Sequence, residues 1–336
     1  MKQDKYSILL EEDSSGIIHN VPNAKYEKWE INSFGFRGKE INLEKREDQF
    51  RIVCLGASET FGLYESKDKE WPSQLGEMLK DQFPRVEVIN ASVIGLNFNK
   101  RKDYVEKYIL PLKPDIMIIL NQRFVLFVKD MIRGLGRGDS VNQVKEREIK
   151  NPIKVLLSRG KALSKLDKAI GRCLPKSLST AISMWRLREK IRRKEKRHLV
   201  NKEPMDEVPG NIVLEYEKDL RLFIQYLKEN NILPVLSTYP SLITPFNKEF
   251  HKNLLLATRH VFCIELSENG LMDASRKLND AVRRVGEEHH LLFVDNDRLI
   301  PKTLEYFGDN FHYTNKGAEF IAKNFYDLLN HCQLIK

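Results

Sequence analysis

Residues Arg51 to Gly62 read RIVCLGASETFG, and this stretch decides the fold. Arg51 to Gly56 is a short apolar run ending in Gly, with the length and composition of a strand covered on both faces of a sheet. Gly56, Ala57 and Ser58 then form a turn of small residues. A serine directly beyond a buried strand lies at the carboxyl edge of the sheet with its backbone N–H free. Those are the requirements of an activated nucleophile, although a serine ahead of a helix is also a common N-cap.

Outward from this stretch the pattern repeats. Pro72 opens a helix whose apolar residues Leu75, Met78, Leu79 and Phe83 keep helical spacing. VEVIN (Val86 to Asn90) reads as a second strand and PDIMIIL (Pro114 to Leu120) as a third. Val213 to Lys228 carries an amphipathic helical pattern. ILPVLSTYP (Ile232 to Pro240) and LLFVD (Leu291 to Asp295) are strands four and five. A last helix is expected from about Asn315 to Leu329, with Ala318, Ile321, Ala322, Phe325 and Leu328 on one face. Five apolar strands alternating with helices predict a parallel sheet in a three-layer α/β domain. In such sheets the reactive site lies at the carboxyl ends of the strands.

The domain is not continuous. Residues 1–48 are polar and turn-rich, an extended arm whose only compact feature is NSFGFRG (Asn32 to Gly38). Residues 49–128 form the first part of the α/β domain, 129–204 a basic helical insertion, and 205–336 the second part. The net charge of +9 over 336 residues conceals this division: Lys129 to Lys202 alone carries +15, leaving −6 on the remainder. With 41% hydrophobic and 31% charged residues, the chain is an ordinary globular protein and not a disordered one. Cys54, Cys173, Cys263 and Cys332 are scattered without a CxxC pair and read as reduced thiols. The amino terminus lacks the apolar stretch of a signal peptide. The longest uncharged run, Asn230 to Asn247, is broken by three prolines, so no spanning helix is expected. The expected location is cytoplasmic, peripheral to the inner membrane face if the insertion rests there.

After the fifth strand comes YFGDNFHYTNKG, with Asp309 and His312 three residues apart, followed by the last helix. That spacing lets one turn hold both side chains together: the carboxylate accepts from one imidazole nitrogen while the other faces a hydroxyl. An aspartate capping the helix beside a solvated histidine is the bland alternative.

GASETFG, INASVIG and DNFH occur in the order and spacing of the SGNH/GDSL hydrolases, and the chain resembles that family over 51–125 and 212–330. The upstream NSFGFRG, with RIVCLGASETFG and WPSQL, is similar to a bacterial subgroup found near polysaccharide and lipid modification systems. The resemblance implies a flavodoxin-like sheet and a Ser–His–Asp triad: Ser58 as nucleophile, His312 as general base, Asp309 as its orienter. It also implies an oxyanion hole built from the Ser58 N–H, the Gly95 N–H and an Asn side chain after the third strand. Gly95 in INASVIG fits its place. The family's Gly-x-Asn-Asp is replaced here by PDIMIILNQRFV; read without gaps, Phe124 stands where the Asn belongs, and Asn121 serves only if the loop is three residues shorter.

The implied activity is hydrolysis of O-acyl esters, O-acetyl included, of a saccharide or lipid through an acyl-enzyme. The alternatives are an O-acyltransferase on the same scaffold, or a non-catalytic binding or assembly protein with a degenerate site. No metal or cofactor is implied: His289 and His290 have no acidic or Cys partner at ligand spacing, and no P-loop or GxGxxG follows a strand. Arg37 in GFRG is expected to make a structural ion pair. The insertion is read as a lid or surface cap, its basic helix with Trp185 suited to an anionic membrane. One aromatic residue is too few for a nucleic-acid stacking platform.

Overall fold

The structure, a computed structural model, describes residues 8–96, 98–120, 124–140, 143, 189–193, 195, 203–245 and 251–332. The chain divides into two compact units. The first comprises Met1–Arg123, Val213–Leu242 and Leu278–Lys336, the second Phe124–Ile212 and Ile243–Lys277.

The first unit opens with two small antiparallel hairpins, β1 (Leu10–Glu12) with β2 (Ile18–Asn20) and β3 (Lys25–Tyr26) with β4 (Trp29–Glu30). The central sheet follows: β5 (Phe50–Leu55), β6 (Val86–Asn90), β7 (Ile116–Leu120), β8 (Leu233–Ser237) and β9 (Leu292–Val294). All pairings within it are parallel, and the spatial order is β6-β5-β7-β8-β9. Counted by the sheet strands alone this is 2-1-3-4-5, the flavodoxin-like order, whose switch point lies beside the first strand. The apolar run in β7 is buried at every position, as a central strand between two helical layers must be.

Right-handed crossovers assign the helices to the two faces. On one face Trp71–Lys80 packs against the last helix, Asn315–His331; Trp71 meets Phe325 with ring centroids 4.9 Å apart. On the other lie the broken helical stretch 98–112, the helix Gly210–Glu229 from Val213 onward and the end of Glu268–Glu288. Arg101 joins two of these, stacking over Phe223 at 4.2 Å and donating to the Asp219 carbonyl at 2.9 Å. A wide, π-type turn at Val105–Ile109 and Pro111 break the 3.6-residue period of 98–112, which is why no continuous helix is legible there.

The amino-terminal hairpins are fastened to the first two strand exits. Asn20, fully buried, donates from Nδ2 to the carbonyls of Gly35 (2.9 Å) and Ser92 (3.0 Å). The Arg37 N–H donates to the Asn90 carbonyl at 3.2 Å. Its guanidinium donates to the carbonyls of Phe61 and, at 2.6 Å, Gly62, and lies 3.2 Å from the buried Glu70 carboxylate. The ion pair expected for Arg37 is therefore present. Removing one partner of a buried pair strands the other charge, at a cost of about 3–5 kcal/mol. Arg37→Ala is expected to lose that much in urea unfolding. Lys39→Ala, which removes an exposed pair with Glu77, should stay within about 0.5 kcal/mol of wild type. Equal losses for the two variants would refute the buried-pair account.

In the second unit Met205 bridges Leu266, and Arg133 pairs with Glu265. Of the basic segment's carboxyl-terminal stretch, 189–193 and 195 are described and helical, with Ile191 buried against Leu256 and Ile264. Most of the insertion read as a lid or membrane-facing cap, including Trp185 and Cys173, lies outside the described residues. Cys54 and Cys263 are buried free thiols, and Cys332 is a free thiol nearer the surface. Among the described residues no helix is long and apolar enough to cross a membrane.

Candidate active site

β5 ends at Leu55, and a four-residue helix, Ser58–Phe61, starts at the carboxyl edge of the sheet. Glu59 is buried in its first turn, and its Oε1 accepts the Ala57 N–H at 2.8 Å. Ser58 itself is half-buried, and its N–H belongs to the first turn, whose donors have no partner within the helix.

The Gly95 loop runs alongside. Ala91 N–H bonds the Cys54 carbonyl at 3.1 Å and Val93 N–H bonds the Gly56 carbonyl at 3.3 Å, so the exits of β6 and β5 are stitched together. Asn90 braces this junction, donating to the Thr60 carbonyl at 3.1 Å and accepting from the Ser92 hydroxyl. Gly95 has φ +90°, a left-handed conformation that a side chain would strain. Among the described residues neither the Ser58 N–H nor the Gly95 N–H has an acceptor.

His312 and Asp309 arrive from the far end of the chain. The loop 306–314 is closed by Gly308 N–H to the His312 carbonyl (2.8 Å) and Thr314 N–H to the Tyr306 carbonyl (3.0 Å). Thr314 caps the last helix, accepting from Gly317 N–H. The exit of β8 holds the loop from the side, with Leu242 N–H on the Asn310 carbonyl at 3.0 Å.

These elements bring Ser58, His312 and Asp309 into one line. His312 Nε2 lies 2.8 Å from Ser58 Oγ, and Nδ1 lies 2.8 Å from Asp309 Oδ2 and 3.0 Å from Oδ1. Asp309 Oδ1 also accepts the backbone N–H groups of Phe311 (2.8 Å) and His312 (2.9 Å). Burial pushes the Asp309 carboxyl up, but the hydrogen bond and charge of His312 and the two backbone donors outweigh it. The group is held below its usual value and is ionised at neutral pH. The arrangement can take a proton from the serine hydroxyl and stabilise the imidazolium that results. Asn121, the third expected oxyanion donor, lies outside the described residues. Phe124 begins the helix Phe124–Gly136.

Two neighbours of this line have no signature in the sequence. The Tyr64 hydroxyl donates to Asp309 Oδ2 at 3.0 Å. Glu65, 1% exposed, accepts the Tyr64 N–H at 3.0 Å and sits near Arg37. Burial pushes the Glu65 carboxyl up to about 8 against a usual 4.5, the pull of Arg37 notwithstanding. The charge of the nearby Glu70 pushes in the same direction as burial, to a smaller extent.

A carboxyl raised on folding contributes stability that is complete below its unfolded value and is lost as pH rises through its folded one, each unit being worth about 1.4 kcal/mol. Wild-type unfolding free energy should therefore decline from about pH 5 and level off once pH has passed about 8, and Glu65→Gln should flatten that decline. Parallel curves for the two proteins would exclude Glu65 as its source.

No family model matches the chain, and no match was found among curated proteins. Among solved structures it is similar to LAE5, an alpha/beta hydrolase enzyme from the metagenome of Lake Arreo, Spain. They are 16% identical, covering 84% of this chain and 95% of that one, with a TM-score of 0.46. It is also similar to a lipase/acylhydrolase from Enterococcus faecalis (14% identical, 84% and 97% covered, TM-score 0.46). A third similarity is to Axe2, an acetylxylan esterase from Geobacillus stearothermophilus solved as a catalytic mutant (14%, 85% and 96%, TM-score 0.45).

Proposed function

We propose that this chain is a serine ester hydrolase of the SGNH/GDSL type. The observation that supports the reading best is the unbroken relay from Ser58 Oγ through both imidazole nitrogens of His312 to an ionised Asp309, with 2.8 Å at each junction. In this reading Ser58 Oγ attacks the ester carbonyl while His312 Nε2 takes its proton. Asp309 keeps Nδ1 protonated and offsets the charge of the imidazolium. The N–H groups of Ser58 and Gly95 receive the oxyanion, donors fixed before the charge develops and so needing no reorganisation. The tetrahedral intermediate collapses as His312 returns the proton to the leaving alcohol. Water, deprotonated by the same imidazole, then releases the acyl group. An O-acylated saccharide or a lipid ester is the substrate class that the sequence resemblance implies.

A fluorophosphonate probe tests this directly, because it reacts only with an activated serine. Wild-type protein should be labelled on Ser58, and a short-chain aryl ester should be turned over. Folded protein that shows neither labelling nor turnover would sink the hydrolase reading in favour of a binding or assembly role.

A further inference from the structure

Asp309 has more hydrogen-bond donors than a serine–histidine–aspartate relay requires. Oδ1 takes two backbone N–H groups, and Oδ2 takes both His312 Nδ1–H and the Tyr64 hydroxyl. The Tyr64 ring stands perpendicular to the imidazole, with centroids 5.3 Å apart. It also packs on Gly308, where any added Cβ would lie 2.8 Å from the ring.

The loop that carries Tyr64 is pinned. Ser66 N–H donates to Asn315 Oδ1 at 2.8 Å, and Asn315 Nδ2 returns a bond to Ser66 Oγ at 3.1 Å. Gln74 Nε2 reaches the Asn315 carbonyl at 3.2 Å. The loop after the nucleophile helix is thus tied to the first residue of the helix that follows His312. These ties give Tyr64 a fixed reference to both halves of the site.

We propose that Tyr64 is a positioning residue for the Asp309–His312 pair, its hydroxyl fixing the carboxylate plane and its ring limiting the tilt of the imidazole. The proposal rests on the esterase reading only for its effect on turnover. Half of the tyrosine is exposed, so a platform that stacks on substrate is the competing role, and the two roles separate cleanly. Tyr64→Phe keeps the ring and removes the hydroxyl that donates to the carboxylate. A positioning role predicts kcat lower by about 10-fold with KM unchanged, the loss of one hydrogen bond to a charged group. It also predicts that the His312 imidazole of the variant titrates at higher pH than that of the wild type, because Asp309 no longer shares its charge with the hydroxyl.

The experiment is NMR titration of the His312 imidazole in wild type and Tyr64→Phe, with steady-state kinetics on the same preparations. The titration is read below about pH 7, short of the range in which the neighbouring Glu65 loses its proton. A raised titration point supports the proposal whether or not the protein turns over an ester. In a folded protein without turnover, that result would sink the esterase reading and leave the role of Tyr64 standing. An unmoved titration point overturns the proposal, as does a raised KM with unchanged kcat.

Discussion

Replacing Ser58 by Ala is expected to lower ester turnover by about 10⁶-fold while the protein stays folded. Ser58 is half-buried, and its hydroxyl makes one hydrogen bond, to His312, among the described residues. Deleting one oxygen leaves β5, the short helix and the Ala57–Glu59 contact as they are. Under the proposed mechanism covalent catalysis disappears: without Oγ there is no acyl-enzyme, and the imidazole has only water to activate. Members of such a unit are not additive, so the loss should approach that of removing the whole relay. The measurement is kcat/KM on a short-chain ester with unfolding curves for both proteins. Turnover within 10-fold of wild type in a folded Ala variant would place the nucleophile elsewhere.

Asp309→Asn is the second large effect, about 10⁴-fold in kcat. The two backbone donors on Oδ1 decide which way the new amide faces. Its carbonyl oxygen must stay with the Phe311 and His312 N–H groups, because turning the NH₂ toward them would set donor against donor. The NH₂ then occupies the place of Oδ2 and points at His312 Nδ1 and the Tyr64 hydroxyl. His312 has to accept at Nδ1, which moves its proton to Nε2 and aims it at Ser58. An imidazole in that tautomer cannot act as the base. The same two backbone bonds should keep the loop folded, so the loss appears as chemistry and not as instability. A drop of less than about 10-fold would mean that Asp309 does not set the tautomer.

The parts of the fold that were legible in the sequence are those where one local pattern had one physical cause. β7 is a run of five buried apolar residues, and no other element of that length needs them. Ser58 announced itself by following β5 through two small residues, and Asp309 and His312 by standing one turn apart before a capped helix. What escaped depends on distant partners. Tyr64 meets Asp309 across 245 positions, and nothing in LYESK marks the tyrosine. Glu65 in the same pentapeptide reads as a surface charge, and its burial near Arg37 exists only in the folded chain. The arm of residues 1–48 lacks any run long enough to read as structure; its strands have two or three residues each and hold because Asn20 and Arg37 are anchored elsewhere.

The relay also has a consequence in time. Ser58 and His312 are 254 positions apart, and a ribosome adding 5–20 residues per second needs roughly 13–50 s to go from one to the other. Through that interval Ser58 has no His312 to hydrogen-bond with. Chains that stop between residues 295 and 311 carry all five strands of the sheet and lack His312. Under the proposed esterase reading, activity therefore arrives only after the loop that carries His312 has closed.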